Sequence, residues 1–97
     1  MRKEILQDFL DSLALGLELE VSFRGRRYFI QGWDWTETNL KSGPHIEMFE
    51  LVDGKAAGYV FQYDASSRGK CTEKFLAAKL WDGMSFSEAE PEIEWEG

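Results

Sequence analysis

The stretch "LELEVSFRGRRYFIQGW", Leu17 to Trp33, constrains the fold of this chain more than any other. Leu17, Leu19, Val21 and Phe23 alternate with Glu18, Glu20 and Ser22. A period of two sends the first set to one side of a strand and the second to the other, so the segment reads as half-buried β-structure. Arg24-Gly25 then supplies the backbone freedom that a two-residue hairpin requires. Pairing Phe23 with Arg26 sets Val21 beside Tyr28 and Leu19 beside Ile30, which carries one apolar face across both strands.

A second hairpin is written in the same way: "HIEMFELV", the turn Asp53-Gly54, then "KAAGYVFQY". Asp-Gly between apolar runs is a strong hairpin signal. Its expected core face is Ile46, Met48, Val52, Tyr59 and Phe61. Between the hairpins, "WDWTETNLKSGP" reads as a loop ending at Gly43-Pro44. Before them, Ile5, Leu6, Phe9, Leu10 and Leu13 recur at helical spacing, and Gly16 ends the helix. After them, "TEKFLAAKLW" reads as a short helix stopped by Asp82-Gly83, with Lys79 laying its stem along the apolar side. Ser85 and Glu88 fit a capping box for one further turn before Pro91, and "EIEWE" alternates as a last strand.

The expectation is a single α+β domain over residues 1–97: an antiparallel sheet of four to five strands built from two hairpins, with two helices packed on one face. One cysteine, Cys71, excludes an internal disulfide framework. Arg2, Lys3, Glu4 and Asp8 interrupt any signal-peptide core, and no apolar run approaches the ~20 residues that span a bilayer. These features point to a cytoplasmic protein without membrane contact.

The net charge of −7 is unevenly placed. Residues 1–79 hold 12 acids against 11 bases, whereas residues 80–97 hold six acids and no base. An acidic balance disfavours direct nucleic-acid binding and suits a basic partner. Glu92, Glu94 and Glu96 would line the outer side of a terminal strand, with Ile93 and Trp95 inward, and Glu18 and Glu20 would extend the acidic surface from the first hairpin. Such a stripe is either a solvated, aggregation-resistant edge or a surface that engages a Lys/Arg-rich groove.

Two segments resemble a known family: "FLDSLALGLELEVSFRGRRYFI", Phe9 to Ile30, and "FLAAKLWDGMSFSEAEPEIEW", Phe75 to Trp95. The family consists of small, acidic, mostly uncharacterised proteins of Gram-positive bacteria and their mobile elements. Its members show a helix, a Glu-alternating strand, a Gly hairpin, a Tyr-Phe-Ile strand, an Asp-Gly-x-Ser segment and an acidic Glu-Ile-Glu end. The resemblance implies the fold given above and no particular chemistry.

Candidate sites are few. "DASSRGKCT" has the outline of a phosphate loop, but Asp64 stands where phosphate approaches and Cys71 where a magnesium-binding hydroxyl belongs. It reads as a polar strand-to-helix connection. His45 is expected at an exposed strand end, and nothing pairs it with Cys71 as a nucleophile. No ligand spacing suggests a metal, and no cofactor is expected. "RGRR", Arg24 to Arg27, is explained by cross-strand pairing of Arg27 with Glu20 and Glu18. Trp81 and Trp95 read as core, while Trp33 and Trp35 read equally as a binding platform on a loop.

Two functions remain open. One is a small acidic, non-enzymatic protein-binding domain: an inhibitor that occupies a basic, nucleic-acid-handling surface through Glu92, Glu94, Glu96, Glu18 and Glu20, as phage or mobile-element anti-defence (anti-CRISPR-like) proteins do. The other is a recognition module for a peptide, sugar or small ligand that uses Trp33 and Trp35.

Overall fold

The computed structural model describes residues 1–35 and 43–95. The elements are α1 (Lys3–Ala14), β1 (Leu19–Phe23), β2 (Arg26–Trp35), β3 (Gly43–Val52), β4 (Lys55–Asp64), α2 (Arg68–Ala77), α3 (Phe86–Ala89), a 3-10 turn (Glu90–Glu92) and β5 (Ile93–Trp95). The strands form one antiparallel sheet in the order β4-β3-β2-β1-β5. The fold is therefore α+β, with five strands and three helices among the described residues. The third helix is the short turn that the Ser85–Glu88 capping box starts.

Both hairpins form at the turns the sequence marks. Phe23 pairs with Arg26, Val21 with Tyr28 and Leu19 with Ile30. Arg24 (φ 49°) and Gly25 (φ 80°) are both left-handed, as are Asp53 (φ 55°) and Gly54 (φ 76°). Two left-handed residues in succession give the turn twist that matches right-handed strands.

Leu19, Val21, Phe23, Tyr28, Ile30, Ile46, Met48 and Ile93 share one side of the sheet and are buried. Phe9, Leu13, Cys71, Phe75, Trp81, Phe86 and Ala89 complete the same cluster. Trp81, 1 % exposed, meets Phe23, Tyr28, Phe75 and Phe86 edge to face at centroid distances of 5.5–6.5 Å. Trp95 is half-buried against this core, 5.4 Å from Phe9.

Four expectations need correction. Tyr59 and Val52, assigned to the core, are 62 % and 50 % exposed. Met48 pairs with Phe61 but Phe49 pairs with Tyr59, so Val60 is an extra residue in β4. That bulge reverses the alternation and turns Tyr59 to the other side of the sheet, while Val52 lies at the hairpin tip. Leu17 is exposed and precedes β1, its amide bonded back to the Ser12 carbonyl. Helix α2 starts at Arg68, capped by the Ser67 hydroxyl accepting from the Lys70 amide, and ends at Ala77, so exposed Lys79 lies beyond it. Finally, Trp33 and Trp35 belong to β2 and Gly43-Pro44 to β3, where a loop was expected. Residues 36–42 of that stretch lie outside the described residues.

Candidate binding face on the sheet

The side of the sheet opposite the core carries the residues of odd number in β2 and β3. Arg27 pairs with Leu51, Phe29 with Phe49, Gln31 with Glu47, Trp33 with His45 and Trp35 with Gly43. None of Phe29, Trp33, Trp35, Phe49 or Tyr59 belongs to the core cluster. Instead they contact one another: Phe29 stacks on Phe49 at 5.2 Å, Phe49 meets Tyr59 at 5.8 Å, and Trp33 meets Trp35 at 5.2 Å with their planes at 80°.

At the Trp end of this far face the structure holds a polar group that sequence reasoning missed. His45 is 3 % exposed, contrary to the expected exposed strand end, because Trp33 and Trp35 flank its ring at 4.4 and 5.3 Å. Its Nδ1 lies 2.8 Å from Asp64 Oδ1 and its Nε2 lies 2.9 Å from Glu47 Oε1. A neutral ring donates from one nitrogen only, so both contacts are hydrogen bonds when the ring carries both protons. Gln31 Nε2 donates to Glu47 Oε2 at 2.8 Å, and Trp35 Nε1 donates to Asp64 Oδ1 at 2.5 Å. Glu47 is itself 3 % exposed. A buried carboxylate is tolerated when donors answer its oxygens, as Gln31 does at Oε2.

Trp33, Trp35, His45, Glu47, Tyr59, Gln62, Tyr63 and Asp64 line an open hollow of about 490 Å³. The two carboxylates address opposite nitrogens of the imidazole and so do not converge on a shared point. Among the described residues no group of three or more His, Cys, Asp or Glu side chains is arranged to hold a metal ion. Cys71 is in the core, far from chemistry of the kind that needs a thiolate, and burial pushes its thiol above the ordinary range.

The acidic residues separate into different environments. Glu20 is ion-paired with Arg27 across β1 and β2, as expected. Glu18 is exposed and precedes β1. Glu94 is exposed on β5 opposite Ser22, on the far face. Glu92 is not on the strand: it ends the 3-10 turn and receives both Arg24 Nε at 2.9 Å and Nη2 at 2.8 Å. Arg24 also reaches Asp82 at 3.3 Å. These hydrogen bonds hold the Glu92 carboxyl below its ordinary value. Glu96 lies outside the described residues. Of the glutamates expected along the terminal strand, Glu94 is exposed on β5 and Glu92 is clamped by arginine before it.

The phosphate-loop outline is absorbed into structure. Arg68, Gly69 and Lys70 form the first turn of α2, and Arg68 points back to the sheet, donating to the His45 carbonyl at 2.9 Å and to Asp34 at 3.0 Å. No described helix is long and apolar enough to cross a membrane. No protein-family model, curated protein or solved structure matches this chain.

Proposed function

We propose that this protein is a non-enzymatic binding domain that docks on a basic protein surface through the far face of its sheet. The observation that carries this reading is the set of large aromatic side chains, Phe29, Trp33, Trp35, Phe49 and Tyr59, lying outside the core on one side of the sheet. A few residues carry most of the energy at protein interfaces, and Trp and Tyr are enriched among them because their rings bury large areas. In this reading the helices pack together on the core side and leave the far face to the partner.

Charge supports the choice of partner. The charged side chains described on the far face are Glu20, Glu47, Asp64 and Glu94 against Arg27. That balance favours a Lys/Arg-rich surface and speeds encounter with it at low salt. The acidic reading and the tryptophan reading thereby meet on one face, Glu20 and Glu94 at one end and Trp33 and Trp35 at the other. A domain seated on a nucleic-acid-handling surface would keep phosphates away from it, which is how an inhibitor of such an enzyme acts. The likeness to phage and mobile-element anti-defence proteins is one of kind and rests on analogy. The non-enzymatic part rests on His45, the single imidazole, whose two nitrogens are both engaged by carboxylates.

The test is an amide-shift titration of labelled protein with an eight-residue peptide of alternating Arg and Gly. The reading expects shifts on β2, β3 and β4 that centre on Phe29, Phe49 and Tyr59 and weaken at least about tenfold between ~50 and ~500 mM salt. Shifts confined to the helices would overturn it.

A further inference from the structure

We infer that the outer edge of β4 is a docking surface for a second copy of this chain, which pairs with it antiparallel about a two-fold axis at Tyr59. β4 is the last strand of the sheet, bonded to β3 on one side and to no described strand on the other. Such an edge presents a row of backbone donors and acceptors, and proteins blunt it with charges, proline or brevity. The residues from Ala56 to Tyr63 include no charge and no proline, and Tyr59 and Val60 among them are 62 % and 38 % exposed. The opposite edge is blunted: β5 is three residues long, Glu94 in it is exposed, and Pro91 and Glu92 precede it.

The strand fits a reversed copy of itself. Opposite residues of an antiparallel pair share a face, and a single bulge breaks that match. Here the register with β3 leaves one unpaired residue on each side of Tyr59: Ala57 and Val60. Tyr59 is on the far face, and outward from it come Gly58 and Phe61 on the core side. Ala56 and Gln62 follow on the far face, then Lys55 and Tyr63 on the core side. Two copies turned about Tyr59 therefore keep step in both directions.

The side chains match as well. Phe61 reaches the other copy's Gly58, which has open space around it, as aromatic rings do across from edge glycines. Lys55 comes within one position of the other copy's Asp64, so unlike charges meet at both ends of the seam, whereas a parallel copy would set Lys55 on Lys55. Asp64 keeps its bonds to His45 and Trp35, since the attraction uses only the sign of its charge. The two-fold closes the assembly at two copies, because the edges left outside are the blunted ones. The pairing needs no basic partner, so its failure would leave far-face docking untouched.

A single strand pair is a small interface, which places the association at roughly 10–500 µM. Sedimentation equilibrium of the unaltered protein should show monomer at about 5 µM and mostly dimer at about 1000 µM, with β4 amide exchange slowing at least about threefold over that range. Oxidation of Tyr59→Cys should give a crosslinked dimer at least about tenfold faster than Leu15→Cys, because residue 59 faces its own copy within the reach of a disulfide. Cys71 is buried and takes no part. A mass that stays monomeric at about 1000 µM would overturn the inference. So would a dimer whose β4 amides exchange as fast as in dilute protein, or equal crosslinking of the two cysteine variants.

Discussion

The guanidinium of Arg68 occupies the space above Gly32: a Cβ placed on Gly32 would stand 2.6 Å from Arg68 Nη1 and 2.9 Å from the His45 carbonyl oxygen. Helix α2 is thereby tied to the centre of the sheet, directly behind the His45 group. Gly32→Ala should destabilise the fold by about 1–3 kcal/mol through overpacking. Arg68→Ala removes its bonds to the His45 carbonyl and Asp34, which the larger residue at 32 also disrupts. The double variant should therefore cost less than the sum of the two singles. Urea unfolding of the four proteins measures this, and strict additivity would contradict it.

His45 and Glu47 should be coupled for the same reason that both are buried. His45→Ala leaves Glu47 Oε1 without its 2.9 Å partner at 3 % exposure. A destabilisation of about 1–3 kcal/mol is expected from the stranded acceptor. Glu47→Gln in the His45→Ala background should recover part of it, since an amide is cheaper to strand than a carboxylate. Chemical denaturation curves provide the check.

Acid should loosen the end of the sheet. Arg24 holds Glu92 below its ordinary value of 4.5, and hydrogen bonds from the Ser85 amide and hydroxyl do the same for Glu88. Depressed folded values mean that this stability is fully present above 4.5, the unfolded value, and is lost as pH falls through the folded values. Glu92→Gln should flatten the acid limb of a stability–pH curve and leave stability near neutral pH slightly lower. Both groups are exposed, so the effect should shrink with salt.

The two tryptophans on the core side should differ in weight. Trp81 is 1 % exposed and meets four rings, whereas Trp95 is half-buried and meets Phe9. Trp81→Ala should cost about 3–5 kcal/mol or prevent folding, and Trp95→Ala distinctly less. Thermal unfolding of both variants ranks them.

What could be read from the chain, and what could not, follows from where side chains point. The Val21–Tyr28 register and both turns were legible because alternation and Gly placement act locally. The apolar pattern alone puts Tyr59 in the core, because the bulge at Val60 leaves no mark in it. Gly32 and Asp34 weaken the strand pattern around Trp33 and Trp35, yet Gly32 is small to admit Arg68 and Asp34 receives it. Those two roles need α2, a long-range partner that no local window contains. The group of His45, Glu47 and Asp64 joins two strands through their register, although Gln31-x-Trp33-x-Trp35 and His45-x-Glu47-x-Phe49 already alternate in the sequence.

A matched pair of substitutions tests the far face most directly. Tyr59 and Leu15 are both exposed apolar residues, at 62 % and 72 %, but Tyr59 lies on the far face beside Phe49 and Leu15 caps the end of α1. Tyr59→Lys and Leu15→Lys add the same charge to the same protein and should leave both folded. In calorimetric titration with the Arg-Gly peptide, Tyr59→Lys should weaken binding at least about tenfold and Leu15→Lys less than about twofold. Equal loss in the two variants would show that net charge alone draws the peptide, and the far face would not be the contact surface.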